Sequence, residues 1–178
     1  MNAPDRNDLP LSGVRVIDFT QVMLGPVCTQ MLGDYGADVI KIERKGAGDL
    51  SRSTFEPVAG HDNPVFCSLN RNKRSAALDL KNPDHMAAVR ALIADADVVV
   101  NNFRAGVMER MGLGYDECRR LNPVNQQQRQ AGRGRNRVLR FAPTQGRSLW
   151  LLLNNFRRRP RRIFHRLVSH VKWSAGRL

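Results

Sequence analysis

Two hydrophobic rhythms alternate along the first part of the chain. In "GVRVIDF" (13–19), Val14, Val16 and Asp18 alternate with Arg15 and Ile17, and β-branched residues dominate, which predicts a strand. "TQVMLGP" follows as a turn, and Pro26 suits the first turn of a helix. "VCTQMLGDYG" (27–36) predicts that helix, with Val27, Met31 and Leu32 on one side and Gly36 as its stop. "ADVIKIER" (37–44) is a second strand with Val39, Ile40 and Ile42 as its apolar core. Strand, helix and strand in this order make a βαβ unit with a right-handed crossover.

Residues 45–72 read as loop, rich in Gly, Ser, Asn and Pro. "SAALDL" (75–80) is a weaker strand. The strongest helix signal is 82–96. There Asn82 caps, Pro83 takes the first position, Asp84 opposes the dipole, and Met86, Val89, Leu92 and Ile93 form one stripe. "DVVVNNF" (97–103) has the continuous apolar run of a strand buried on both faces. "AGVMERMGLG" and "YDECRRLNP" are two short helical pieces around Gly112 and Gly114. The repeating order predicts an α/β three-layer fold with a mainly parallel sheet.

Charge divides the chain. The whole carries +13 over 178 residues, at first sight a signature of nucleic-acid or anionic-membrane binding. Residues 124–178, however, hold thirteen Arg, one Lys and no Asp or Glu, whereas residues 1–123 hold fifteen bases against sixteen acids. The basicity belongs to the tail, and residues 1–123 have the balance of an ordinary cytoplasmic domain. Cys28, Cys67 and Cys118 form no CxxC or Cys/His cluster, which points to reduced thiols and away from a metal or disulfide framework. "MNAPDRNDLPLSG" has no apolar core of a signal peptide, and the longest apolar run, "LWLLL" (149–153), is too short to span a bilayer.

Ligands of open parallel sheets bind beyond the carboxyl ends of the strands. Three segments leave such ends: "TQVMLGP", "RKGAGD" and "NNFRAG". Arg44, Lys45, Lys73, Arg74 and Arg110 could bring cations to that rim. With the backbone amides of a helix N-terminus, they suit a phosphorylated nucleotide such as coenzyme A or a dinucleotide. No GxGxxG follows the first strand and no GxxxxGK[ST] occurs, so neither NAD nor ATP is supported. Equally, Gly25, Gly46 and Gly48 can be plain turn residues. His61, His85, His165 and His170 are too dispersed for a catalytic pair, and His85 reads as solvated.

The stretches "LSGVRVIDFTQVMLGPVCTQMLGDYGADVIKIERKGAGDLSR", "NRNKRSAALDLKNP" and "ADVVVNNFRAGVMERMGLGYDECRRLNP" together resemble the class III CoA-transferases. This is the CaiB/BaiF family, which includes formyl-CoA transferase and carnitine-CoA transferase. The resemblance covers about residues 9–123. It implies a Rossmann-like large domain of which 1–123 is the N-terminal portion, a small domain, and two chains interlocked as a homodimer. It implies coenzyme A and acyl-CoA as substrates, a carboxylic acid as acceptor, and no permanently bound cofactor. Carried over by position, CoA contacts fall on Gln21, Val22, Met23 and Leu24, and on Arg44. Others fall on Leu78 and Lys81, Asn102 and Phe103, and Arg110 and Met111. Arg44 and Arg110 can donate paired hydrogen bonds to phosphate, and Lys81 acts as a point charge. Phe103 can pack against adenine or pantetheine, or simply into the core.

Two departures stand out. The oxalate/formate branch places a glutamine where this chain has Met23, and a thioether cannot orient a small polar acyl group, which leaves the acyl substrate open. The family also uses an aspartate that attacks the donor thioester to give a mixed anhydride, which CoA thiolate then attacks as the acceptor is exchanged in. That aspartate lies downstream of the "LNP" motif, where residues 124–178 hold no carboxylate side chain. Asp18, Asp38 and Asp49 match structural or binding positions.

For residues 124–178 three readings compete. They can be an out-of-frame reading of a GC-rich gene, in which arginine codons abound, leaving a truncated and inactive transferase or a CoA-binding remnant. "RRRPRRIFHRLVSHVKW" (157–173) can instead be a nucleic-acid arm, with Phe164 and Trp173 stacking between cations. It can also be a short basic helix on an anionic membrane, beyond Pro160. A sheet cut after its third or fourth strand would leave an open edge, which predicts low solubility, with the tail disordered.

Overall fold

The computed structural model describes residues 8–54 and 63–122, together with the backbone of the segments 139–140 and 150–153. Four strands, β1 (Arg15–Asp18), β2 (Asp38–Arg44), β3 (Lys73–Leu78) and β4 (Val98–Asn101), lie parallel in the order β3-β2-β1-β4. The chain thus winds outward from β1 in both directions, and the order reverses between β1 and β4. The α/β, mainly parallel, open sheet expected from the sequence is the observed fold.

Side-chain parity fixes the layers. Ile17, Phe19, Ile40, Ile42 and Val99 point to one face and pack with Val89, Ile93, Met108, Leu113 and Cys118. These come from α4 (Pro83–Ala94), α5 (Val107–Arg110) and α6 (Tyr115–Leu121) and the turns joining them. Val16, Val39, Val98 and Val100 point the other way, onto Leu32 of α1 (Leu24–Asp34), with Leu11 and Ala37. One residue position separates the two sets, so a register slip would exchange them.

Helix α4 follows its sequence signals. The Asn82 side chain accepts from the amides of Asp84 and His85, Pro83 follows, Val89 and Ile93 are buried, and Met86 and Leu92 pack at the margin. Gly36, at φ +97°, ends the turn after α1; a Cβ there would stand 2.6 Å from that of Leu9. Helix α1 itself starts three residues before the expected Val27, and its buried face is Gly25, Pro26, Thr29, Gln30, Leu32 and Gly33. Met31 is 42% exposed. The apolar stripe drawn through it is incorrect because small and polar residues, not aliphatic ones, meet the sheet here.

Two further readings need correction. Residues 45–72 are not all loop: α2 (Ser51–Thr54) and α3 (Pro64–Asn70) lie within them. Asn63 caps α3 through bonds to the amides of Val65 and Phe66, with Pro64 next. These start signals were present, but seven residues are too few to show a hydrophobic period. Nor is β4 an open edge. Segment Trp150–Leu153 (β6) runs antiparallel along it, with Val98 opposite Leu153 and Asn101 opposite Trp150, and Leu139–Arg140 (β5) lies outside that. The apolar segment Trp150–Leu153 is the part of the tail that pairs with the Val98–Val100 run of β4 and with Asn101. Other residues of 124–178, where disorder was expected, lie outside the described residues, as do His61, His165 and His170.

Candidate functional site

The loops leaving β1 and β4 meet where the strand order reverses. The Gln21 amide donates to Asn102 Oδ1 at 2.9 Å, and Asn102 Nδ2 donates to the Gln21 carbonyl at 2.8 Å. These paired bonds tie together two segments that the sequence places 81 residues apart. Immediately below, Asn101 is buried and its Oδ1 accepts from the Phe103 amide. Such a crevice beyond the carboxyl ends of parallel strands is where ligands of this fold class bind.

Helix α1 opens at the same place. A Cβ on Gly25 would stand 2.5 Å from Thr20 Cβ and 3.2 Å from Asn102 Cγ, so glycine allows the helix start to sit against both loops. No side chain caps this N-terminus, and its first turn carries no acid. Unopposed amides at the positive end of a helix favour an anionic ligand. Ahead of it Val22 has φ +71°, a conformation that costs a β-branched residue about 1–3 kcal/mol unless the surroundings enforce it. Met23 and Leu24 face solvent, 49% and 83% exposed.

A buried ionic layer supports this rim. Alternation along β1 and β2 carries the α1 face from apolar at the amino ends (Val16, Val39) to charged at the carboxyl ends (Asp18, Lys41, Glu43). Lys41 Nζ pairs with Asp49 Oδ2 at 2.7 Å and donates to the Thr20 carbonyl at 2.6 Å. Asp49 Oδ1 accepts from the amides of Val22 (3.1 Å) and Ser51 (2.8 Å) and from the Ser51 hydroxyl (2.7 Å). Burial alone would raise the Asp49 carboxyl; the Lys41 ammonium and Ser51 outweigh it and hold the group below the usual carboxylate range. Glu43 behaves alike, with burial outweighed by Arg52, Ser75 and the Asp49 amide. The Arg52 guanidinium also lies 3.5 Å over the Phe66 ring, joining α2 to α3.

Lys73 and Arg74 do not supply the rim. Lys73 Nζ turns inward to Asp18 Oδ2 (3.2 Å), the Pro26 carbonyl (2.9 Å) and Asn70 Oδ1 (2.8 Å). Burial depresses its ammonium, with Asp18 opposing. Arg74, beside Ile40 in the ladder, pairs with Asp38 at 2.7 Å. Both are consumed because they stand at the amino end of β3. Arg44, Lys45, Lys81 and Arg110, by contrast, are exposed and form no ion pair among the described residues.

The remaining sequence candidates divide between strand ends and the core face opposite α1. Arg44 and Leu78 are ladder partners at the carboxyl ends of β2 and β3. Lys81 follows, its amide bonded to Asp79 Oδ1. Phe103 and Met111 pack partly buried against the core, so core packing accounts for much of each ring and thioether. A Cβ on Gly106 would lie 3.1 Å from Arg110 Nη1, which places that guanidinium over the turn after β4. His85 is not merely solvated: Nδ1 accepts the Asp79 amide at 3.1 Å. Sequence reading missed Lys41, Asp49 and Glu43 as a buried set. Their signal in β2 was Lys41 and Glu43 at alternating positions on either side of Ile42.

The fold and rim define an open α/β domain with a crevice at the topological switch point between β1 and β4. Residues 11–124 match the model of CoA-transferase family III, and the chain belongs to that family. Over 113 residues it is 49% identical to proteins named formyl-CoA:oxalate CoA-transferase from Afipia carboxidovorans and Rhodopseudomonas palustris. That stretch is 64% of this chain but 27% and 26% of theirs, so the chain spans about a quarter of the length of these curated relatives. Among solved structures, Rv3272 from Mycobacterium tuberculosis superposes with TM-score 0.59 at 41% identity, covering 65% of this chain and 32% of that one. A CaiB/BaiF family protein from Brucella suis gives 0.59 at 38%, with the same coverage. No helix among the described residues is long and apolar enough to cross a membrane.

Proposed function

We propose that residues 1–123 are the N-terminal portion of a class III CoA-transferase large domain and bind coenzyme A or an acyl-CoA at the carboxyl rim. The observation that carries this is the Gln21–Asn102 clasp at the switch point, inside the segment matched by the family. The cations Arg44, Lys81 and Arg110, which form no ion pair among the described residues, suit the phosphates of the nucleotide, and the uncapped start of α1 favours the same charge. Gln21, Val22, Met23, Leu24, Leu78, Asn102, Phe103 and Met111 would line the ligand.

In this reading the chain holds CoA without transferring it. Transfer by the family's route needs a carboxylate nucleophile to attack the donor thioester carbonyl and expel CoA thiolate. Asp18 and Asp49 are buried and already bound to Lys73 and Lys41, so neither can reach a thioester at the rim. Residues 124–178 bring no carboxylate side chain. The acyl group is left open by Met23, although the relatives named above act on formyl-CoA and oxalate. Purified chain should therefore bind CoA in calorimetry yet show no transfer between acyl-CoA donors, formyl-CoA included, and carboxylates. Turnover by the chain alone would overturn the inactive assignment, and absence of CoA binding would overturn the site.

A further inference from the structure

The buried pair beneath the rim is not among the residues proposed to line the ligand, yet both members bind the backbone of the loop that is. Lys41 Nζ takes the carbonyl of Thr20, and Asp49 Oδ1 takes the amide of Val22, so the two ends of one short backbone stretch are held by one ion pair. A third bond ties the same parts together: the Leu50 amide donates to Gln21 Oε1 at 3.2 Å. Lys41 is 1% and Asp49 0% exposed. A buried pair of this kind keeps one geometry, because separating its members would strand a charge away from water.

The loop has a reason to need such a hold. Val22 stands at φ +71°, where a β-branched residue does not remain unless its surroundings fix it. Released, Val22 would return to negative φ and swing the Gln21 carbonyl, Met23 and the first turn of α1 away from Asn102. We propose that Asp49 is a positioning residue: paired with Lys41, it clamps the Val22 amide and so keeps the 20–24 loop in the shape that receives CoA. This rests on the reading of the rim as the CoA site, but the clamp itself can be tested without ligand.

The test compares the full chain with Asp49→Asn, Val22→Gly, the double variant and Val22→Pro. Coenzyme A affinity is read by calorimetry, and exchange of the Val22 amide by NMR. Asp49→Asn keeps an acceptor oxygen but forfeits the Lys41 ion pair that holds it on the Val22 amide, and should weaken CoA binding about tenfold and speed Val22 exchange by a similar factor. Glycine adopts positive φ without strain. In the Val22→Gly background the same Asp49→Asn change should therefore cost no more than about twofold. A purely structural role would give the same factor in both backgrounds, and that result overturns the proposal. Should Asp49→Asn not fold, Val22→Pro decides, since proline has no amide to donate and cannot take positive φ. It leaves the Lys41–Asp49 pair intact and should fold with CoA affinity lowered at least about tenfold; wild-type affinity would overturn the clamp. Slow Val22 exchange that depends on Asp49, in a chain that does not bind CoA, would sink the ligand assignment while leaving the clamp standing. Fast exchange in the wild type would sink the clamp.

Discussion

Asn102 and the backbone of Gln21 form a two-bond clasp, 2.9 and 2.8 Å, between the loops that leave the first and fourth strands. One asparagine side chain both donates and accepts, which no isosteric acid or aliphatic residue can reproduce. Asn102→Ala should cost about 1–3 kcal/mol of stability by leaving the Gln21 groups unpaired. Asn102→Asp should retain the bond accepted from the Gln21 amide and lose the other. Denaturant titration of the two variants checks this; equal stability of Asn102→Ala and wild type would mean the clasp is replaced by water without cost.

Gly25 is the second point of close approach. Alanine there would place its Cβ 2.5 Å from Thr20 Cβ and 2.7 Å from Thr20 Cγ2. Thr20 cannot retreat easily, because its amide and hydroxyl both bond to Asp18 Oδ1, at 2.8 and 2.5 Å. Gly25→Ala should destabilise by about 1–3 kcal/mol despite the better helix propensity of alanine. A stabilised Gly25→Ala would show that α1 can slide outward along the sheet.

Acid should unfold the chain through its carboxylates. Asp34, Asp38, Glu43 and Asp49 are each held below the usual range: burial works upward on all four and is outweighed by Arg71, Arg74, Arg52 and Lys41 respectively. Their contribution is complete above the unfolded carboxylate values near about pH 4 and is lost as pH falls through the lower folded values. Asp97, raised by burial and by Asp95, acts oppositely in the same window and offsets part of the loss. Lys73 is depressed by burial, with Asp18 opposing. Melting temperature should be flat from about pH 7 to 5 and fall steeply below about pH 4; no change down to pH 3 would contradict the sign of these shifts.

The outline of the fold was legible because strands and helices differ in period. "RVID", "DVIKIER" and "VVVN" carry β-branched runs, and the Asn-Pro start of α4 is a local signal that needs no tertiary context. What escaped depends on neighbours distant in sequence. The buried face of α1 could not be read because Thr29 and Gln30 are buried by hydrogen bonding and packing, not by hydrophobicity. Lys73 looked like a free cation until the fold set it against Asp18, fifty-five positions earlier. The rim loops were identified from strand ends alone, but the ionic layer under them required knowing which alternate positions of β2 face α1. Pairing of β4 by Trp150–Leu153 could not be expected from charge, which marked the tail as solvated.

Coenzyme A titration by calorimetry, comparing the full chain with Arg44→Ala and Arg110→Ala, bears most directly on the rim as the binding site. The wild type should bind saturably at one site. Each substitution should weaken binding about five- to tenfold, the scale of a charge-assisted contact to phosphate, without lowering the melting temperature, since neither arginine forms an ion pair among the described residues. Heat of binding that is absent, or unchanged by both substitutions, would contradict the assignment of this rim to coenzyme A.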